Sequence, residues 1–237
     1  FQLKESSIGP PKIYLGGGVR KVQLDNGVEA WAFSSSQYVQ AAVKNVESYL
    51  EKQERWKLPT TAETPMVTSY RSELDVSPEL GDVDAAYYMS LIGILRWMVE
   101  LGRVDICLEV SIMSSHLALP REGHLMQLFY IFAHLKKYHN TELVYDPSVP
   151  EVDKSRFEQK DWTSSEFGHL QGKEELPPNM PEPRGLGFTM RAKVDADHAS
   201  DTVSRRSRTG FLELIPPGAH CIANHQKGGG FPPTIDL

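Results

Sequence analysis

Long apolar runs, cysteines and surplus positive charge are all scarce in this chain, and each shortage excludes something. Crossing a bilayer takes about 18 or more consecutive apolar residues. The richest stretch, residues 91–101, is broken by Arg96 and Glu100, so no membrane-crossing helix is expected. Two cysteines, Cys107 and Cys221, lie far apart, which favours two thiols in a reducing compartment over a disulfide. The first residues, from Phe1 to Glu5, show neither an initiator Met nor a signal-peptide pattern, and the expected location is intracellular. Acidic residues (31) outnumber basic ones (25), giving a net charge of −6. That balance argues against a free-standing nucleic-acid binder, which usually carries a positive face. Gly-x-Ser-x-Gly and His-Glu-x-x-His are absent, so hydrolase triads and zincins have no support. Gly16, Gly17 and Gly18 lack the Lys-Ser/Thr ending of a phosphate loop.

What remains is an ordinary globular composition over 237 residues, 40% hydrophobic and 24% charged, enough for one or two domains. Residues 12–33 read as a β-hairpin, with Asn26 and Gly27 as a two-residue turn. The glycines at 16–18 predict a bulge or a close backbone approach in its first strand. Residues 34–52 read as a helix opened by a capping box of Ser34 and Gln37, with Val39, Ala42, Val43, Val46, Tyr49 and Leu50 on one stripe. Three more helices are expected. Residues 85–101 align Tyr88, Leu91, Ile92, Leu95, Met98 and Val99; residues 105–118 align Ile106, Val110, Met113 and Leu117 behind an Asp105 cap. After Pro120, residues 121–138 align Leu125, Leu128, Phe129, Phe132 and Leu135. These stripes are core rather than cofactor sites. A short strand at 143–145 follows.

Pattern is then lost. Between positions 146 and 183 there are nine acidic and four basic residues, with six prolines, which marks an acidic Pro-rich linker over 146–187. Order is expected to resume at Phe188, with a strand to Val194 and a second at 210–215. Beyond Pro216 and Pro217 no packing pattern is visible, and the tail is expected to be frayed. Within 191–210, five basic residues stand against three acidic ones, reversing the charge balance of the linker.

Asp195, at the expected end of the first of these strands, is positioned to hold a hard cation and bridge it to a phosphate. Asp197 shares its face by the two-residue period and reads as a supporting group or as a turn former. Arg205, Arg206 and Arg208 suit phosphate pairing, or equally a solvated loop. Two-metal phosphodiester chemistry needs several carboxylates converging on ions ~3.5–4 Å apart. After Phe211 only Glu213 and Asp236 are acidic. His134 and His139 do not share a helical face, and Cys221 with His225 is too few ligands for zinc.

Taken in order, these motifs resemble the Pol polyprotein of copia-type long-terminal-repeat retrotransposons over roughly residues 1–215. The segment from Pro11 to Gly16, with the hairpin and then Phe33 to Val39, is similar to the part of that polyprotein following the polymerase palm. Tyr88, Ser90, Leu91, Ile92 and Gly93 look like its Tyr-x-Ser-Leu-Ile-Gly helix. Arg103, Asp105 and Ile106 resemble an Arg-Pro-Asp-Ile stretch with Val104 in place of Pro, and Pro120 with His124 a Pro-x-x-x-His motif. Asp195, Asp197, Ala199 and the run from Arg205 to Gly210 resemble the opening strands of its ribonuclease H domain, with His198 replacing a more common Trp.

The resemblance implies an α+β architecture. Residues 1–145 would be a β-hairpin and helical thumb or connection-like region of a reverse transcriptase. Residues 146–187 would be the linker, and residues 188–237 an incomplete ribonuclease H-like αβ fragment with a divergent tail. Asp195 would be the first carboxylate for Mg²⁺ or Mn²⁺. Lys44, Lys52, Arg205, Arg206 and Arg208 would contact primer–template or an RNA–DNA hybrid weakly. The Tyr-x-Asp-Asp signature and the later ribonuclease carboxylates are missing, so neither activity is expected of this chain alone. An active nuclease completed by another chain, and a non-catalytic interaction domain, are the alternatives. The cytoplasm, in virus-like particles, or the nucleus is the implied location.

Overall fold

The computed structural model describes residues 8–54, 57–60, 62–147, 191–197, 199, 201–207 and 209–214, with single positions at 155 and 166. Apart from positions 146, 147, 155 and 166, the expected linker lies outside the described residues, as does the expected tail with Cys221 and His225. Within them the protein is a mixed α+β structure with a four-stranded antiparallel sheet, four α-helices and a separate two-stranded ladder. No helix among the described residues is long and apolar enough to cross a membrane.

The sheet has the order β1 (Ile13–Tyr14), β2 (Gly17–Gln23), β3 (Glu29–Ser34) and β4 (Leu143–Tyr145). Its turns differ from the sequence expectation. Gln23 pairs with Glu29, and Leu24 donates its N–H to Val28 O, leaving Asp25, Asn26 and Gly27 as a three-residue loop. Gly27 takes φ +79 and Asn26 Oδ1 accepts the Val28 N–H at 3.0 Å. Asn-Gly thus serves a turn with a left-handed third residue, not a two-residue turn, because the Asn side chain holds the next strand's first amide. The tight two-residue turn is instead Leu15-Gly16, where both residues have positive φ and β1 folds back onto β2. The expected close approach does occur: a Cβ on Gly17 would overlap the Phe33 ring.

Helix α1 (Ser36–Gln53) begins one residue later than the capping box predicts. Ser34 stays in the sheet opposite Gly18, and its Oγ accepts the Ser36 N–H at 3.3 Å. Ser35 occupies the cap position with no side-chain cap bond, so no capping box forms with Gln37. The stripe itself is as expected: Val39, Ala42, Val43, Val46 and Leu50 are buried.

Helices α2 (Asp82–Glu100), α3 (Cys107–Ser114) and α4 (Glu122–Lys137) complete the body. Asp105 does not cap α3, since the chain there forms a 3₁₀ turn (Val104–Ile106) and the carboxylate is drawn to Arg103. One core joins all four helices, with Tyr88, Leu95, Met98, Met113, Leu128, Phe129 and Phe132 wholly buried. Each such side chain contributes about 1.5–3 kcal/mol. After α4, β4 returns to pair Trp31 with Tyr145 and Phe33 with Leu143, so the helical layer is tied to the hairpin at both ends.

The second ladder joins β5 (Arg191–Ala196) to β6 (Thr209–Leu214), antiparallel, with Val194 opposite Phe211. The strand continues past its expected end at Val194, because Thr209 and Gly210 supply partners for Ala196 and Asp195.

Candidate nucleic-acid interface

Asp195 therefore lies within the β5 ladder, opposite Gly210, rather than beyond a strand tip. Its carboxylate is exposed, and Asp197, just after the strand, is half-buried. Among the described residues no group of three or more His, Cys, Asp or Glu side chains is placed to hold a metal ion.

The loop joining β5 and β6 is organised by Asp201, which the sequence reading passed over. Its Oδ1 accepts the N–H groups of Val203 at 3.0 Å and Ser204 at 2.7 Å, an Asx-type turn. Arg205 N–H donates to Asp201 O at 2.9 Å, and Arg205 itself takes φ +55. Ser207 Oγ accepts the Ala199 N–H across the loop. The backbone of this loop thus sets where Arg205 and Arg206 leave the chain, and both side chains are exposed. Arg208 lies outside the described residues. Lys44 and Lys52 are exposed on α1, away from the hydrophobic stripe that seats that helix. Lys44 and Lys52 thus lie on α1, and Arg205 and Arg206 in the loop between β5 and β6.

The body contains a denser polar centre that the sequence reading did not single out as a site. Arg103, 1% exposed, donates from Nε and Nη2 to the two oxygens of Asp105 at 2.8 and 2.6 Å. His134 Nε2 lies 3.7 Å from the same carboxylate. Burial works against ionisation of Asp105, yet the hydrogen bonds from Arg103, the nearby His134 ring and the Arg103 charge bring its pKa down to about 2. Glu109 is pushed the other way, raised by burial and by the Asp105 charge. Its Oε2 and Arg103 Nη1 are buried without a hydrogen-bond partner. The Arg-x-Asp spacing was the available signal, and the 3₁₀ turn at Val104–Ile106 is what brings the two side chains together.

A second polar centre fastens residues 70–80 to the start of α4. Asp75 accepts from Tyr70 Oη at 2.6 Å and from Ser77 N–H and Oγ, and Ser77 Oγ accepts the Gly123 N–H at 2.8 Å. Although burial opposes its charge, these hydrogen bonds hold the Asp75 carboxyl below its ordinary range. A Cβ on Gly123 would overlap that carboxylate. Arg121 reaches Ser77 O at 2.6 Å and Glu79 at 3.1 Å. The pairing of Pro120 with His124 in sequence thus marks a helix start that receives a neighbouring segment. A carboxylate at a helix N-terminus is favourable because the first-turn amides point at it.

The chain matches no protein-family model, no curated protein and no solved structure.

Proposed function

We propose that this chain is a part of a copia-type retrotransposon Pol polyprotein, containing the thumb or connecting region of a reverse transcriptase and the opening strands of a ribonuclease H-like domain. The observation that carries the reading is the β5–β6 hairpin. It sets Asp195 opposite Gly210 and exposes Arg205 and Arg206 in the connecting loop. The order of motifs supports it as well, since Tyr88, Leu91, Ile92, Arg103, Asp105 and His124 all have defined packing or bonding roles.

On this reading the chain holds primer–template or an RNA–DNA hybrid weakly, through Lys44 and Lys52 on α1 and through Arg205, Arg206 and Arg208. Binding rests on phosphate charge and falls steeply with salt. Asp195 offers Mg²⁺ or Mn²⁺ one carboxylate, with Asp197 beside it. The sequence holds no Tyr-x-Asp-Asp, so neither polymerisation nor hybrid cleavage is expected of this chain by itself.

The test is fluorescence anisotropy with a labelled RNA–DNA hybrid over a salt series, beside a cleavage assay in Mn²⁺. Weak, salt-sensitive binding that Arg205→Glu with Arg206→Glu reduces, with no cleavage, is the expected result. Robust cleavage that disappears in Asp195→Asn would favour an active nuclease completed by a partner chain. Absence of binding at low salt would favour a non-catalytic interaction domain.

A further inference from the structure

Helix α2 has two apolar sides. One, made of Tyr88, Leu91, Ile92, Leu95 and Met98, lies in the core. The other faces solvent: Val83 is 76% exposed, Met89 50% and Trp97 43%, with Ala86, Ser90 and Gly93 exposed among them. Single exposed apolar residues are normal on a surface, but these are ordered. Positions 83, 86, 90, 93 and 97 follow one another at intervals of three, four, three and four, the spacing of a seam along which one helix packs on another. At about 100° per residue this seam runs along the side of α2 opposite the buried stripe. Three of its five members are small, and nothing stands within 4 Å of a Cβ placed on Gly93, so a second helix can come close there.

Charge selects the occupant. Asp82 and Arg96 are exposed and lie seven positions before and after Met89, on one flank of the seam. Among the described residues neither has an ion-pair partner. A partner carrying charge of one sign would attract one end of this flank and repel the other. A second copy lying parallel would set like charges together. A second copy lying antiparallel, related by a two-fold axis at Met89, sets each Asp82 against the other copy's Arg96, and the favourable contact is made twice. Glu100, one turn beyond Arg96, then falls past the start of the facing helix at Asp82. We infer that two copies of this chain associate through the outer face of α2, antiparallel about Met89. One 19-residue helix from each copy is a small contact, below the roughly 1,200 Å² of stable complexes, so the association is weak and concentration-dependent.

Sedimentation velocity of the whole chain from about 1 μM to about 500 μM tests this. The expected mass rises towards twice that of one chain. Ser90→Arg brings two like charges together beside the axis at an exposed position, and should weaken association at least about tenfold. Asp82→Lys and Arg96→Glu should each weaken it about threefold to tenfold, and the double variant should restore it. Circular dichroism checks that each variant keeps its helices. Met89→Cys, a milder and uncharged change, should form a disulfide-linked dimer with oxidised glutathione well beyond the wild type's level. A chain that stays single at every concentration leaves the face to a different partner and overturns the inference. So does a dimer indifferent to Ser90→Arg, a double variant as weak as the singles, or a Met89→Cys chain that does not link.

Discussion

In the helical body Phe132 and Leu128 are wholly buried, whereas Val194, near the middle of the six-residue strand β5, is 67% exposed. Both regions are regular, the one in helices and the other in a paired ladder. What separates them is a second layer. α4 lies among α1, α2 and α3, so its apolar side chains meet side chains from three directions. β5 has β6 beside it, and a two-stranded ladder satisfies backbone groups without giving side chains a surface to pack on. Regular secondary structure and a hydrophobic core are therefore separate achievements in this protein.

The sharpest way to break that comparison is to truncate one side chain in each region. Phe132→Ala should cost about 3–5 kcal/mol in urea unfolding, because a closed site keeps its cavity. Val194→Ala should cost less than about 0.5 kcal/mol, since an exposed side chain leaves no cavity. Equal losses would mean that the hairpin packs as tightly as the body.

Asp105→Asn tests the polar part of the same core. It leaves Arg103 as a buried cation without its carboxylate, and about 3 kcal/mol should be lost. The wild type should show a matching acid dependence. With a folded value near 2 against an ordinary 3.8, Asp105 supports the fold fully above about pH 4, and that support is lost as pH falls towards 2. The loss amounts to about 2 kcal/mol in acid unfolding curves, and Asp105→Asn should flatten it over that window.

Two glycines sharpen the contrast further because they should respond with opposite signs. Gly123→Ala drives a Cβ into the Asp75 carboxylate and should lower stability by about 1–3 kcal/mol. Gly93, exposed within α2 with nothing near its Cβ position, should gain up to about 1 kcal/mol as Ala. Thermal melts of the two variants suffice, and matching signs would refute the assigned surroundings.

Much of the body was legible residue by residue. The stripes Val39 to Leu50, Tyr88 to Met98 and Leu125 to Leu135 repeat with the helical period, so which side chains turn inward followed from spacing. The short strand at 143–145 and the pair of strands around 191–214 were visible from local composition. Ends were less legible. Ser34 was assigned to a helix cap but the sheet claims it, because pairing with Gly18 depends on a strand eleven or more residues away. Asn26-Gly27 was assigned the shorter turn, though the Asn26 side chain and Gly27 φ select the longer one. On the candidate interface, the exposure of Lys44, Lys52, Arg205 and Arg206 agrees with their polar surroundings in sequence, while Asp195 moved from a strand end into the ladder.

Local order thus came from the chain itself: periodicity needs only neighbours within a turn or two, and those are written consecutively. The polar fastenings came from folding. Arg103 with Asp105 and His134, and His124 with Ser72, join side chains and carbonyls that sequence separates by up to 52 positions. Their protonation and charge are determined by which donors and acceptors the packed helices leave facing each ring or carboxylate, and only the assembled tertiary structure supplies those partners.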